Sequence, residues 1–262
     1  MNFREIFKIV KSDIRVFSLC SILILSITLL FLLFSNNSYK SYALLAPSNE
    51  NLSEQAQTFK TSSLVSLGLG AVSGDVATIE LETLKSFDFF SFFIKKNNNL
   101  EDLIAVESYD NILQTITYDK KLYNPAKDKF VNYDDKNDHE LLVKSHSIFL
   151  EKLTITPDAR SGFVKLSLES NSPIIAKKLL DQVIKSLNMY IAETHVKKAE
   201  KYLAFLTIQA NNTKYDEVKK SIVYLIQKQI QTLMLASESD EFSYKVIQKP
   251  FIPITESGAS KL

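Results

Sequence analysis

The chain has 262 residues, of which 45% are hydrophobic and 23% are charged, and its formal net charge is +1. This length allows one domain of ordinary size or two small ones, with a core that folds without covalent cross-links. A nearly neutral chain has no electrostatic footprint for nucleic acid, so we expect no nucleic-acid partner. The single cysteine, Cys20, excludes a disulfide framework within the chain.

The longest apolar run is FSLCSILILSITLLFLLF, residues 17–34, and it contains no charged residue. Roughly 20 such residues at about 1.5 Å each span the hydrocarbon core of a bilayer, so the run predicts a transmembrane helix. Basic residues dominate the flank before it, at Arg4, Lys8, Lys11 and Arg15. The positive-inside rule then places residues 1–16 in the cytoplasm. A cleaved signal peptide is the alternative, but its apolar run is shorter and ends in a small-residue cleavage site.

After this segment the sequence predicts a strand, two loops and a helical region. Residues 42–46 form a short apolar run that ends at a proline, which is typical of a strand. Residues 48–63 are polar and predict a loop. Residues 64–74 hold three of the five glycines without the spacing of a phosphate-binding loop, so they indicate a connection. Apolar residues at helical spacing over 75–96 predict one or two short helices whose phenylalanines face inward.

The middle of the chain predicts a surface loop followed by a β-hairpin. Residues 119–140 are polar and charged, which is typical of a long surface loop. His139 and His146 lie near acidic residues, but their spacing of seven does not fit known zinc ligands, so we expect no metal site. Residues 149–155 and 163–168 alternate with period two, and proline, aspartate and glycine between them supply turn chemistry. This pattern predicts two antiparallel strands.

The longest predicted helix opens at Ser172 and Pro173, because serine caps a helix and proline fits its first turn. Apolar residues recur at helical spacing to about Ala210, where a polar break follows. A second amphipathic helix comes next, so residues 172–238 predict an antiparallel helical hairpin. Residues 242–246 then alternate like an edge strand, before two prolines that end regular structure.

The order of these pieces resembles the chain-length determinant proteins, also called polysaccharide co-polymerases, of bacterial surface-polysaccharide assembly. The resemblance is spread over nearly the whole chain, and it rests on several segments that occur in the right order. They are the N-terminal apolar segment, the glycine-rich stretch before LETLKSFDFFSFFIKK (81–96), YNPAKDKFVNY (123–133), the run from Ser172 and Pro173 through Ala176 to Asn188 with Tyr190, then Phe205, Leu206 and Gln209, and IQKQIQTLMLASESDEFSYKVIQKPFIP (226–253).

The resemblance implies an α+β fold with a membrane-proximal α/β domain, a small mixed sheet shared by the two halves of the chain, and a long antiparallel helical hairpin after an N-terminal transmembrane helix. The expected parts are a cytoplasmic N-terminus (1–16), a transmembrane helix (17–34), the first part of the α/β domain (35–171), the hairpin (172–238), and a returning strand with a proline-containing segment (239–262). Family members continue into a second transmembrane helix, which these 262 residues do not include.

The implied function is a non-catalytic regulator of polysaccharide chain length, for an O-antigen or capsule-like polymer, in the bacterial inner membrane with its bulk in the periplasm. The implied partners are further copies of the chain in a ring, a polysaccharide polymerase, the growing lipid-linked glycan and membrane lipid. The apolar residues expected to bury against neighbouring copies are Leu203, Leu206, Leu225 and Ile230.

An enzyme needs a converging nucleophile, base and orienting group, and the sequence offers no such constellation. We therefore expect no catalytic, cofactor-binding or metal-binding residues. The phosphate loop of the kinase-bearing relatives, GxxxxGK[ST], does not occur. The alternative is a periplasmic adaptor of an efflux or secretion system, which shares the anchor and the hairpin but flanks the hairpin with glycine-rich β-domains.

Overall fold

The computed structural model describes residues 18–19, 21–26, 38–48, 76–133, 135–136, 138–158 and 160–257, with the backbone alone for 76–79. The chain divides into two units, Met1–Asn37 and Ser38–Leu262.

In the first unit, residues 18–19 and 21–26 are helical. Of the predicted transmembrane helix, residues 17–34, the structure describes 18–19 and 21–26, and the rest lies outside the described residues. None of the helices in the described part of the chain is both long enough and apolar enough to cross a membrane. The glycine-rich connection predicted at 64–74 lies wholly outside the described residues, as does nearly all of the loop predicted at 48–63.

The described part of the second unit contains eight strands and six helices. In chain order they are β1 (Tyr39–Pro47), α1 (Val76–Thr83), α2 (Phe87–Asn97), α3 (Leu100–Ile104), β2 (Val106–Asp110), β3 (Thr115–Tyr118), β4 (Tyr123–Asn124), β5 (Lys129–Phe130), α4 (His139–Lys152), β6 (Leu153–Pro157), β7 (Val164–Ser170), α5 (Pro173–Asn212), α6 (Asp216–Glu238) and β8 (Tyr244–Gln248).

Strands β6, β7, β1 and β8 form one four-stranded sheet in that order. Strand β1 pairs with β7 on one side and with β8 on the other, so the first and last strands of the unit are neighbours. This confirms that the two halves of the chain share a sheet. The expected mixed sheet is wrong, since every neighbouring pair is antiparallel. The reason is that β7 and β8 run in the same direction but are separated by β1, which runs opposite to both.

Helix α4 was not predicted from the sequence, which instead indicated a loop to residue 140 and a strand from 149. Asp138 caps this helix, because its side chain accepts hydrogen bonds from the backbone N–H groups of Glu140 and Leu141. The buried residues of α4 recur at helical spacing: Leu141, Leu142, Ser145 and Phe149. Residues 149–155 alternate with period two, as in a strand, and this alternation hides the helical repeat that ends at Phe149. The predicted strand therefore starts four residues before β6.

The region expected to be a long surface loop, residues 119–140, contains the small ribbon of β4 and β5. Tyr123 pairs with Phe130 across this ribbon, and both side chains are buried. A second ribbon of β2 and β3 precedes it and was not predicted either. The β4–β5 ribbon therefore interrupts the expected loop, because Tyr123 and Phe130 add to the core, whereas the β2–β3 ribbon lies before that loop.

The core lies between the four-stranded sheet, helices α2 and α4, and the first half of α5. Four phenylalanines are fully buried in it: Phe89, Phe90, Phe93 and Phe149. The buried side chains of α5 run from Pro173 to Ala192, followed by Ala199 and Ala210. Ser172 caps α5 as predicted, because its Oγ accepts a hydrogen bond from the N–H of Ile175 at 3.4 Å. The first half of α5 therefore belongs to the core and the second half to the hairpin.

Candidate functional site: the outer helical hairpin

Helices α5 and α6 form the antiparallel hairpin that the sequence predicts. The 40 residues of α5 correspond to about 60 Å of helix. Residues 213–215 connect the helices, and the N–H of Thr213 donates to the carbonyl oxygen of Gln209 at 3.0 Å, which closes the last turn of α5. Beyond the core, most side chains of both helices are exposed.

Two rows of apolar side chains on this hairpin face solvent. Tyr202, Phe205 and Ile208 on α5 expose between 54% and 58% of their surface, and we call them the α5 stripe. On α6 the exposed residues Val223, Ile230 and Met234 share one face because they are seven and four residues apart; we call them the α6 stripe. Exposed apolar rows of this kind mark interaction surfaces.

The side chains expected to bury against neighbouring copies divide into two groups. Leu225 and Ile230 are exposed, whereas Leu203 and Leu206 are half-buried within the single chain. The predicted series on α5 followed these leucines to the buried Ala210 and thus traced the inner side of the helix. Tyr202 and Ile208 were missed, although their spacing of three residues on either side of Phe205 is visible in the sequence.

We call the four-stranded sheet and the core packed against it the base. An open groove of about 610 Å³ lies between α5 and α6 near the base. Its apolar part is formed by Met189, Ala192 and Val196 on α5 and Ala236 on α6. Charged side chains of both signs border it: Lys185, Lys197, Glu193, Glu200 and Asp240. An apolar floor with a mixed-charge rim suits an apolar side chain of a protein better than it suits a polyanion.

The three histidines of the chain all lie against aromatic rings. His139 and His146 each make an edge contact with Phe87, with ring centroids 5.8 Å and 5.6 Å apart. His195 lies 5.3 Å from Phe242, and burial lowers its pKa, with a further lowering from a nearby lysine. The histidine pair considered as a metal site therefore contributes to packing. Among the described residues, no group of three or more His, Cys, Asp or Glu side chains could hold a metal ion.

No protein-family model matches the chain. A search of curated proteins likewise finds no match.

Comparison with solved structures does return matches. One is a fragment of WzzB, a polysaccharide co-polymerase from Salmonella Typhimurium, with 12% identity over 83% of this chain and 97% of that chain and a TM-score of 0.34. Another is a full-length bacterial polysaccharide co-polymerase, with 13% identity over 92% of this chain and 83% of that chain and a TM-score of 0.29. A third is the wild-type lipopolysaccharide O-antigen chain-length regulator of Shigella flexneri, with 12% identity over 83% and 99% and a TM-score of 0.24.

The matched proteins are polysaccharide co-polymerases and chain-length regulators. The family that the sequence resembles is therefore also the family of the solved structures that the chain matches.

Proposed function

We propose that this protein is a non-catalytic regulator of the chain length of a bacterial surface polysaccharide, of the O-antigen or capsule-like kind. The apolar segment 17–34 anchors it in the inner membrane, with residues 1–16 in the cytoplasm and the bulk in the periplasm. The anchor is supported by the run of uncharged residues and by the basic flank before it. Several copies form a ring, which acts with a polysaccharide polymerase on the growing lipid-linked glycan.

The observation that best supports this proposal is the pairing of β1 with β8. Leu44 pairs with Gln248 and Pro47 with Tyr244, so the strand that follows the apolar segment lies beside the strand that follows the hairpin. Strand β7, which precedes the hairpin, pairs with the other side of β1, so both ends of the hairpin are held by the same sheet. The resemblance to the chain-length determinants implies this arrangement, whereas an adaptor inserts its hairpin between glycine-rich β-domains.

The two stripes on the hairpin support self-association. A ring of identical subunits uses heterologous contacts, in which two different patches of each subunit meet. The α5 stripe and the α6 stripe are two such patches on separate helices, and each exposes large apolar side chains. Covering them in a ring removes apolar surface from water, which contributes roughly 25 cal/mol per Å² of buried apolar area.

A regulator of this kind has no chemistry of its own, so it acts through the polymerase or through the glycan itself. The aromatic contacts of all three histidines agree with a structural use of the residues that most often carry acid–base catalysis.

The test is deletion of the gene in its host, with the length profile of the surface polysaccharide resolved on a gel. We expect synthesis to continue while the modal length is lost, and we expect the wild-type gene to restore it. Loss of all polymer would contradict a regulatory role. An unchanged profile together with failed export of drugs or proteins would instead support the adaptor.

A further inference from the structure

The turn between β2 and β3 carries two apolar side chains that point into solvent. Ile112 and Leu113 expose 91% and 69% of their surface. Turns of this kind usually carry polar residues. Here the carboxylate of Asp110 accepts hydrogen bonds from the N–H groups of Ile112 and Leu113 at 2.8 Å and 3.1 Å, so the turn holds its shape without help from these side chains. The apolar surface of Ile112 and Leu113 is therefore available for contact with a partner outside the chain.

This turn lies at the end of the sheet where β1 begins. The side-chain amide of Asn111 donates to the hydroxyl oxygen of Tyr39, the first residue of β1, at 3.4 Å. The C-terminal tail returns to the same end, because the N–H of Ser257 donates to the carbonyl oxygen of Ser38 at 2.6 Å. Three residues before Ser257, Ile254 exposes 96% of its surface. Three exposed apolar side chains thus belong to segments that are hydrogen-bonded to Ser38 or Tyr39, where β1 begins.

The length of the intervening chain relates this end to the apolar segment. Only residues 35–38 separate residue 34 from Tyr39. The chain from the Cα atom of residue 34 to that of Tyr39 covers at most about 18 Å when fully extended. If residues 17–34 cross the inner membrane, as the proposed function holds, the start of β1 lies within that distance of the end of the membrane span.

We propose that Ile112, Leu113 and Ile254 enter the interfacial layer of the bilayer and seat the base of the domain on the lipid surface. Apolar side chains gain by leaving water for the boundary between headgroups and acyl chains. The partner is a lipid surface rather than a second copy, because the short connection to residue 34 brings this end of the sheet to the membrane. This inference rests on the membrane anchor of the proposed function but not on its role in glycan length.

Tryptophan fluorescence provides the test, because the chain contains no tryptophan. The full chain carrying Ile112→Trp, or separately Leu113→Trp, is reconstituted in vesicles of phosphatidylethanolamine and phosphatidylglycerol, with and without bromine on the acyl chains. We expect blue-shifted emission that the brominated lipids quench. The matched control is Tyr215→Trp in the exposed hairpin connection, which should emit as in water and be quenched by iodide alone.

Three results would overturn the inference. The first is emission at positions 112 and 113 that iodide quenches and brominated lipid does not. The second is a blue shift that grows with the protein-to-lipid ratio without quenching by bromine, which would indicate contact between copies. The third is failure of the wild-type chain to float with vesicles, which would remove the anchor as well. If the turn variants misfold, Ile254→Trp provides a reporter on a different segment. The glycan profile is measured in a separate experiment, so failure of the proposed chain-length role would not change the fluorescence result.

Discussion

The side chain of Asn188 forms two hydrogen bonds with the backbone of Tyr244. Its amide nitrogen donates to the carbonyl oxygen at 3.0 Å, and its amide oxygen accepts from the N–H at 2.8 Å. The same oxygen accepts from the N–H of Ser243 at 2.9 Å, and all three residues are buried. One side chain of α5 thus positions the start of β8, the strand that completes the sheet.

Replacing this side chain should destabilise the fold. Asn188→Ala removes three hydrogen bonds to buried backbone groups, and the loss of such a bond costs about 1–3 kcal/mol for each group. We expect the free energy of unfolding to fall by about 3 kcal/mol or more, as measured by urea unfolding of the full chain in detergent. The control is Asn211→Ala, at an exposed position near the end of α5. It should change the free energy of unfolding by less than about 0.5 kcal/mol. Equal effects of the two variants would contradict the role of Asn188.

The aromatic core should be sensitive to truncation. Phe149 is fully buried, with its ring 5.4 Å from Phe90 and 5.9 Å from Phe93. We expect Phe149→Ala to lower the free energy of unfolding by about 3–5 kcal/mol, because it leaves a cavity as well as removing apolar contact. Phe205→Ala removes the same atoms at an exposed position and should have a small effect on the subunit in the same urea assay. A small effect at Phe149 would show that α4 does not pack as described.

The α5 stripe should control assembly rather than folding. The double change Phe205→Lys with Ile208→Lys places charge in a surface that we expect to be covered in the ring. We predict a lower mass for the complex in detergent and a glycan profile like that of the deletion, with little change in the stability of the subunit. Gln209→Lys adds a charge at a neighbouring exposed position and is the control. An unchanged mass in the double variant would exclude the α5 stripe from the subunit interface.

His195 should make stability depend on pH. Burial, and to a smaller degree the charge of Lys198, lowers its pKa below the ordinary value of 6.5. The folded chain then binds this proton more weakly than the unfolded chain does. The stability contributed by neutral His195 is therefore present above pH 6.5 and is lost as the pH falls from there through the folded pKa.

The variant His195→Gln should flatten that part of the profile. A single proton accounts for a slope of at most about 1.4 kcal/mol per pH unit. Urea unfolding of both proteins from neutral to mildly acidic pH measures the difference. Parallel profiles of the wild type and the variant would show that another group causes the dependence.

The orientation of the chain in the membrane can be tested with single cysteines. Cys20→Ser removes the only thiol, after which Asn2→Cys and Asn211→Cys each introduce one. An impermeant maleimide should label position 211 while the inner membrane is intact. It should label position 2 only after the inner membrane is permeabilised, because the basic flank keeps residues 1–16 in the cytoplasm. The opposite labelling pattern would reverse the predicted topology.

Several elements of the fold could be predicted because their signals are local. Ser172 and Pro173 start α5 through capping and a pre-set backbone angle, which depend on adjacent residues alone. The hairpin follows from two long amphipathic stretches with a short polar break between them. Helix α4 was missed because it begins within a polar stretch, and its buried residues show their helical spacing only when Phe149 is counted with Leu141 and Leu142.

By itself the sequence determined the helical hairpin, the apolar segment at 17–34 and the resemblance to the chain-length determinants, because helical periodicity, capping and hydropathy act over a few turns of chain. Tertiary structure decided that the sheet is antiparallel. Leu44 pairs with Gln248, which is far from it in the sequence, and such pairing depends on long-range packing. Tertiary structure also decided that the α5 stripe faces solvent while Leu203 and Leu206 turn inward, because exposure depends on which side of a helix its partner covers.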